Sequence, residues 1–167
     1  MLVEAALLGL LAAGPAEEPS AAAENTLAQA FRAQCERRAA TEFCQDFTAK
    51  TVAFFRQHHQ PLEFNPRVVE PRPISPLTVT QGRILAADYR ANTLARVALM
   101  RARYGNGAAP SCDGCDHLLN TCLTFVDNAY DACSAQVPDP GYCFFVYRDL
   151  LNVCFRDWSA CMLRCTS

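Results

Sequence analysis

Residues 112–165 read CDGCDHLLNTCLTFVDNAYDACSAQVPDPGYCFFVYRDLLNVCFRDWSACMLRC and contain eight of the ten cysteines in the chain. The gaps between successive cysteines are 3, 7 and 11 residues up to residue 133, then 11, 7 and 4 residues from residue 143 onward. Seven residues fall about 20° short of two helical turns, and eleven overshoot three turns by about 20°. We therefore predict two helices, each with its cysteines along one face. The cysteines are Cys112, Cys115, Cys122, Cys133, Cys143, Cys154, Cys161 and Cys165.

The gaps of the second helix mirror those of the first, which is the pattern of two antiparallel helices joined by a turn. The segment between them, Val137-Pro138-Asp139-Pro140-Gly141, contains two prolines that a continuous helix does not tolerate. Packed helices bring facing Cα atoms roughly 4–5 Å apart, which is within reach of a disulfide. We predict an all-α fold with a hairpin cross-linked by four disulfides: Cys112–Cys165, Cys115–Cys161, Cys122–Cys154 and Cys133–Cys143. The same register places Ala129 opposite Tyr147, Val126 opposite Leu150 and Leu118 opposite Trp158.

Composition limits the class of protein and its compartment. A net charge of −2 over 167 residues argues against nucleic-acid binding. Ten cysteines indicate an oxidising compartment, either the secretory route or the mitochondrial intermembrane space. The apolar run that ends at Ala13 is preceded by Glu4 and no basic residue, which is atypical of a signal peptide, and it is too short to cross a bilayer. We expect a soluble or membrane-peripheral protein.

The first region, residues 1–59, is predicted to be helical over residues 20–58, with Ser20 as its cap. Cys35 and Cys44 lie nine residues apart, so one straight helix would place them on opposite faces. If a second helix starts with Thr41 as its cap, the chain turns near residues 38–40 and the two cysteines can form a fifth disulfide. We favour that disulfide, with free or partner-linked thiols as the alternative, although the segment has no glycine or proline to make the turn.

The second region, residues 60–79, contains five prolines, which interrupt regular structure and favour an extended backbone. It also carries apolar residues, too many for an idle linker: Leu62, Phe64, Val68, Val69, Ile74 and Leu77. We predict an extended arm that packs against another protein. The alternative is a strap across the N-terminal helix of the same chain.

The third region, residues 80–105, is predicted to be one helix that is capped by Thr80 and ends near Tyr104. It carries five arginines and an apolar stripe of Ile84, Ala87, Ala91, Leu94 and Ala98. A basic amphipathic helix can rest on anionic lipid, but a face of alanines buries little area in a membrane. Contact with a protein is therefore favoured, and contact with lipid is the alternative.

Residues that suggest catalysis or metal binding are few. Cys112-x-x-Cys115 with Cys161 and Cys165 could form a four-thiolate zinc site, although two disulfides satisfy the same residues. His58 and His59 have no Cys, Asp or Glu at ligand spacing nearby, and we expect His117 to be a solvated or interface side chain. We find no catalytic triad, no paired carboxylates and no phosphate-binding glycine loop. We predict a protein that is not an enzyme and needs no cofactor or metal.

The pattern Cys122-x10-Cys133 with Cys143-x10-Cys154 resembles the coiled-coil-helix-coiled-coil-helix (CHCH) family of mitochondrial proteins, which have twin Cys-x9-Cys motifs. This chain departs from the family pattern by one residue in each arm and by a further cysteine pair beyond each end. The resemblance covers about a third of the chain. It implies import into the mitochondrial intermembrane space and oxidation there by a dedicated oxidoreductase. That enzyme would dock on apolar residues ahead of a cysteine, either Tyr147, Leu150 and Leu151 or Val126 and Tyr130.

The resemblance also implies a role. Many family members are accessory subunits of respiratory complexes, and others are assembly factors or copper carriers, whose adjacent Cys-Cys pair is absent here. We expect a structural accessory subunit of a respiratory-chain or ATP-synthase complex, peripheral on the inner membrane at its intermembrane-space side. Its partners would be the other subunits of that complex. A mitochondrial assembly factor and a secreted saposin-like lipid-binding protein are the alternatives, and subcellular location separates the secreted one.

Overall fold

The computed structural model describes residues 21–104 and 112–166, and the regular secondary structure within those ranges is all helical. The prediction of an all-α fold is confirmed, whereas the predicted cap Ser20 lies outside the described residues. The helices of the described ranges are α1 Ala21–Glu36, α2 Thr41–Gln57, α3 Pro66–Val69, α4 Val79–Tyr104, α5 Asp113–Gln136 and α6 Pro140–Thr166.

Helix α6 occupies the centre of the fold. Most of its residues between 141 and 158 are buried, including Leu150 and Trp158, because neighbours cover more than one of its faces. Helices α4, α5 and α3 all pack against it. The α1–α2 pair meets the hairpin through Phe54, whose ring stacks on that of Phe125 with centroids 4.5 Å apart. A hydrophobic helix enclosed in this way needs no clear polar face.

Four disulfides join α5 or the residue before it to α6, and they run in antiparallel order. Their Cα–Cα distances are 5.6–5.7 Å. A fifth disulfide joins Cys35 of α1 to Cys44 of α2. All ten cysteines are therefore bonded, which leaves no thiolate for the zinc alternative. The four pairs between α5 and α6 are the ones that the cysteine spacing predicts. They are Cys112–Cys165, Cys115–Cys161, Cys122–Cys154 and Cys133–Cys143.

One pair of the predicted apolar register is wrong. Leu118 is exposed, and its neighbour Leu119 is buried instead. The indole of Trp158 lies beside α5, where its Nε1–H donates a hydrogen bond of 3.1 Å to Asp116. The two positions are one residue apart on the helix, so cysteine spacing alone does not distinguish which of them faces the partner helix.

The turn between α1 and α2 forms without glycine or proline. The backbone N–H groups of Arg38 and Ala39 both donate to the carbonyl of Cys35, and Ala40 adopts an extended conformation as the N-cap of α2. Thr41 is thus the first residue of the helix and not its cap. The alanine side chain cannot accept a capping hydrogen bond. The Cys35–Cys44 disulfide, which lies one turn into α2, stabilises the junction instead.

Helix α4 begins two residues earlier than predicted, because Thr78 is its cap and not Thr80. The Thr78 hydroxyl accepts a hydrogen bond from the N–H of Gln81, and the Gln81 side chain accepts one from the N–H of Thr78. This reciprocal arrangement is a capping box, in which each side chain satisfies a backbone donor that the helix leaves unpaired.

Residues 60–78, which we call the strap, pack partly on the same chain. Leu62 and Val68 are buried, and the ring of Phe64 stacks on that of Phe31 in α1 at 4.5 Å. The strap includes the short helix α3, which packs against α1 and α6. Ile74, farther along, is 66% exposed. The first half of the strap thus packs against helices of the same chain, which was the alternative to contact with another protein. Its apolar side chains are buried by that packing.

Candidate interaction site

The outer face of α4, which we define as Ile84, Ala87, Ala91, Leu94 and Ala98, is the apolar stripe identified in the sequence. All of these residues except the half-buried Leu94 are exposed, and Ile84 is 55% exposed. The stripe runs from Ile84 to Ala98, which are about 21 Å apart along the helix axis. The described helices therefore leave this stripe uncovered.

Helix α4 packs on α6 through the opposite side, which sequence analysis missed. The buried residues there are Gly82, Ala86, Thr93 and Val97. Glycine and threonine do not contribute to an apolar pattern, and this concealed the second face. The helical spacing of these residues, with steps of 4, 7 and 4 from Gly82 to Val97, is the signal that could have found it.

The outer face suits contact with another helix. Three of its five residues are alanines, so a second helix can approach at the short end of the usual 8–10 Å range of axial distances. Helix α4 carries one acidic residue, Asp88, and five arginines, of which Arg90 and Arg101 already pair with aspartates of α5. A helix with small residues on its contact face and acidic residues beside it would therefore complement this surface.

A second feature is an open cleft of about 460 Å³ between the strap, α4 and α6, which we call the arginine cleft. Its lining includes three arginines, two carboxylates, two asparagines and two aromatic rings. These residues are Arg96, Arg148, Arg156, Glu63, Asp149, Asn65, Asn152, Phe64 and Phe155.

The charged groups of the arginine cleft differ in how well they are paired. Arg156 lies 3.2 Å from Glu63, and both side chains are largely in solvent. Asp149 accepts a 2.7 Å hydrogen bond from the N–H of Asn65 and lies 3.4 Å from Arg148. Burial raises the pKa of Asp149, although the Asn65 hydrogen bond and the nearby arginines oppose that effect. Arg96 makes no ion pair with a described residue and stacks over Phe155 at 4.1 Å.

The most buried ion pair of the described residues joins Arg38 to Asp139, with N–O distance 2.7 Å and side-chain exposures of 4% and 3%. Asp139 is also the N-cap of α6, since it accepts a hydrogen bond from the N–H of Tyr142. Arg38 also donates to the carbonyls of Gln34 and Arg72. The pair thus ties together the α1–α2 turn, the strap and the hairpin turn. An aspartate followed by proline indicates such a helix start, but no pattern in the sequence indicated Arg38 as its partner.

The histidines do not form a metal site. His58 is buried, and its Nδ1 lies 2.7 Å from Asp157 of α6. His59 has a left-handed backbone (φ 50°) and ends α2 in a Schellman motif, whereas His117 is exposed on α5. No group of three or more potential metal-ligating side chains occurs in the ranges that the structure describes. Among the described helices, none has the length and hydropathy needed to cross a membrane.

The residues that the CHCH resemblance assigns to oxidoreductase docking are mostly buried in the folded chain. Tyr147, Leu150, Leu151 and Val126 belong to the core, and Tyr130 is half-buried. The Tyr147 hydroxyl lies 3.2 Å from Asp127, and burial raises the pKa of that hydroxyl. These apolar residues would therefore be accessible to an oxidoreductase only before α5 and α6 have packed.

Comparisons of the chain with profiles of protein families, with characterised proteins and with solved structures found no match.

Proposed function

We propose that this protein is a non-catalytic structural subunit that docks into a larger protein assembly through the outer face of α4. The observation that carries the proposal is the exposure of the apolar stripe from Ile84 to Ala98 on a helix whose other side is already packed. Exposed apolar area that is contiguous along a helix is typical of an interaction surface. The partner would be a helix of another subunit with acidic residues beside its contact face.

We further propose that the assembly is a respiratory-chain or ATP-synthase complex and that the chain sits on its intermembrane-space side, peripheral to the inner membrane. The cysteine pattern of residues 122–154 supports this, because it resembles CHCH proteins. Five disulfides also fit an oxidising compartment. The cross-linked hairpin and the strap would hold α4 rigidly for docking. This structural role requires no catalytic group.

The test is to express Ala91→Arg in place of the natural chain and to measure the amount of assembled complex on native gels. Arginine at the centre of the outer face would place a long charged side chain where the partner helix must approach closely. We expect much less of the chain in the large assembly, while activity per remaining complex stays unchanged. The matched control is Ala53→Arg, which makes the same change at an exposed position of α2.

Two results would contradict the proposal. If Ala91→Arg and Ala53→Arg lower assembly equally, the outer face is not the docking surface. If assembly is normal but activity per complex falls, the chain has a catalytic or carrier role. A chain that fractionates with secreted proteins would instead favour the saposin-like alternative.

A further inference from the structure

Beside the arginine cleft, α4 and α6 form a second, mainly apolar groove of about 360 Å³. The cleft and the groove adjoin, because Arg96 and Phe155 line both of them. Leu99 and Met100 line the groove, and Leu99 is 70% exposed. A polar, arginine-lined compartment therefore lies next to a mainly apolar one.

The guanidinium groups in the cleft are incompletely satisfied by the protein. The Nε of Arg148 is buried and has no hydrogen-bond partner among the described residues. The terminal nitrogens of Arg148 have a long ion pair, 3.4 Å to Asp149. Arg96 carries a charge with no ion-pair partner in the described ranges, although it borders the same cleft. An anion in the cleft would supply acceptors for the terminal guanidinium nitrogens of Arg96 and Arg148.

We propose that these two adjoining depressions bind one anionic phospholipid, with its phosphodiester between Arg96, Arg148 and Arg156 and one acyl chain along Leu99, Met100 and Phe155. Arginine matches phosphate oxygens with two parallel N–H donors, which favours it as a phosphate ligand. The adjoining groove favours a lipid over free phosphate, because a phosphate ion would leave the apolar compartment unused. The inference goes beyond the docking role and does not depend on it, since an isolated chain can be tested.

The test uses the oxidised full-length chain and short-chain phosphatidylglycerol held below its micelle concentration, with binding measured by calorimetry. We expect saturable binding that Arg148→Gln weakens roughly tenfold, the size of effect that loss of one charge-assisted hydrogen bond produces. Arg96→Gln should weaken it similarly, and Arg96 lies near the surface, so this variant keeps the test valid if Arg148→Gln fails to fold. Arg83→Gln, with the same charge change near the start of α4, is the control.

The acyl-chain part of the site has its own pair of variants. Leu99→Gln should weaken lipid binding, whereas Leu163→Gln, at another exposed leucine, should not. Glycerophosphate, which has the phosphate but no chain, should bind far more weakly than the lipid. Glycerophosphate binding as tight as the lipid would overturn the proposal in favour of a free-phosphate site. Absence of lipid binding, or equal loss in Arg148→Gln and Arg83→Gln, would also overturn it.

Discussion

At the scale of single residues, the Arg38–Asp139 pair shows how a buried charge can link three distant segments. The two residues are 101 positions apart, and the strap contributes both the Arg72 carbonyl and the Ser75 N–H to the same pair. Removing one partner of a buried ion pair costs much more than the intact pair contributes, because the remaining charge stays desolvated.

We predict that Asp139→Asn lowers the free energy of unfolding by about 3 kcal/mol, measured by urea denaturation without reductant. Asparagine caps helices as well as aspartate does, so the loss would come from the unpaired Arg38 charge and not from the cap. Asp46→Asn is the matched control, since its ion pair with Lys50 is exposed, and its effect should stay below about 0.5 kcal/mol. Equal effects of the two substitutions would contradict this role for the buried pair.

At the scale of elements, the start of α4 depends on close contact with the start of α6. A Cβ atom added at Gly82 would lie 2.8 Å from the Cβ of Pro140, so the helices can approach this closely only without a side chain there. Gly114, near the start of α5, has no atom within 4 Å of such a Cβ. Gly82 and Gly114 therefore differ in packing, although glycine at either position is unfavourable by intrinsic helix propensity.

We predict opposite effects of alanine at these two glycines. Gly82→Ala should destabilise the protein by roughly 1–3 kcal/mol, because overpacking outweighs the gain in helix propensity. Gly114→Ala should stabilise it by up to about 1 kcal/mol, because only the propensity changes. Thermal unfolding monitored by circular dichroism would measure both. Stabilisation by both substitutions would mean that α4 can move away from Pro140 at little cost.

At the scale of the whole molecule, covalent links divide the chain into two parts. One disulfide closes the α1–α2 pair and four close the α5–α6 hairpin, but none joins these two units. They are held together by contacts such as Arg38–Asp139, His58–Asp157 and the Phe54–Phe125 stack. Residues 70–74 of the strap, which connects α1–α2 to the rest of the chain, are exposed.

We predict that limited digestion with a protease of broad specificity cuts first within residues 70–78. Exposed backbone outside regular structure enters a protease site without unfolding the helices. A denaturing gel without reductant should then show two separate fragments, and the larger fragment should retain the hairpin. Resistance of this segment equal to that of α5 and α6 would show that the whole strap is packed as firmly as the hairpin.

Much of the secondary structure and the cysteine register follow from local pattern. The gaps of 7 and 11 residues depend only on helical periodicity, and the prolines around Asp139 exclude a continuous helix there. The end of α4 near Tyr104 and the apolar stripe from Ile84 to Ala98 are likewise visible in the sequence. Thr78-x-x-Gln81 ahead of an apolar run is the sequence pattern of a capping box. The sequence therefore also contains the signal that places the helix cap at Thr78 instead of Thr80.

The sequence by itself thus determined an all-α chain with mirrored cysteine faces, because helical periodicity and proline act over a few residues and need no partner. Only the tertiary structure decided that Gly82 and Val97 face α6 while Ile84 faces outward, because α4 carries small or apolar residues on both sides. It likewise decided the Arg38–Asp139 contact, the burial of Leu119 instead of Leu118, and the arginine cleft. Each of these unites residues far apart in the chain, and which of them meet depends on how the helices pack.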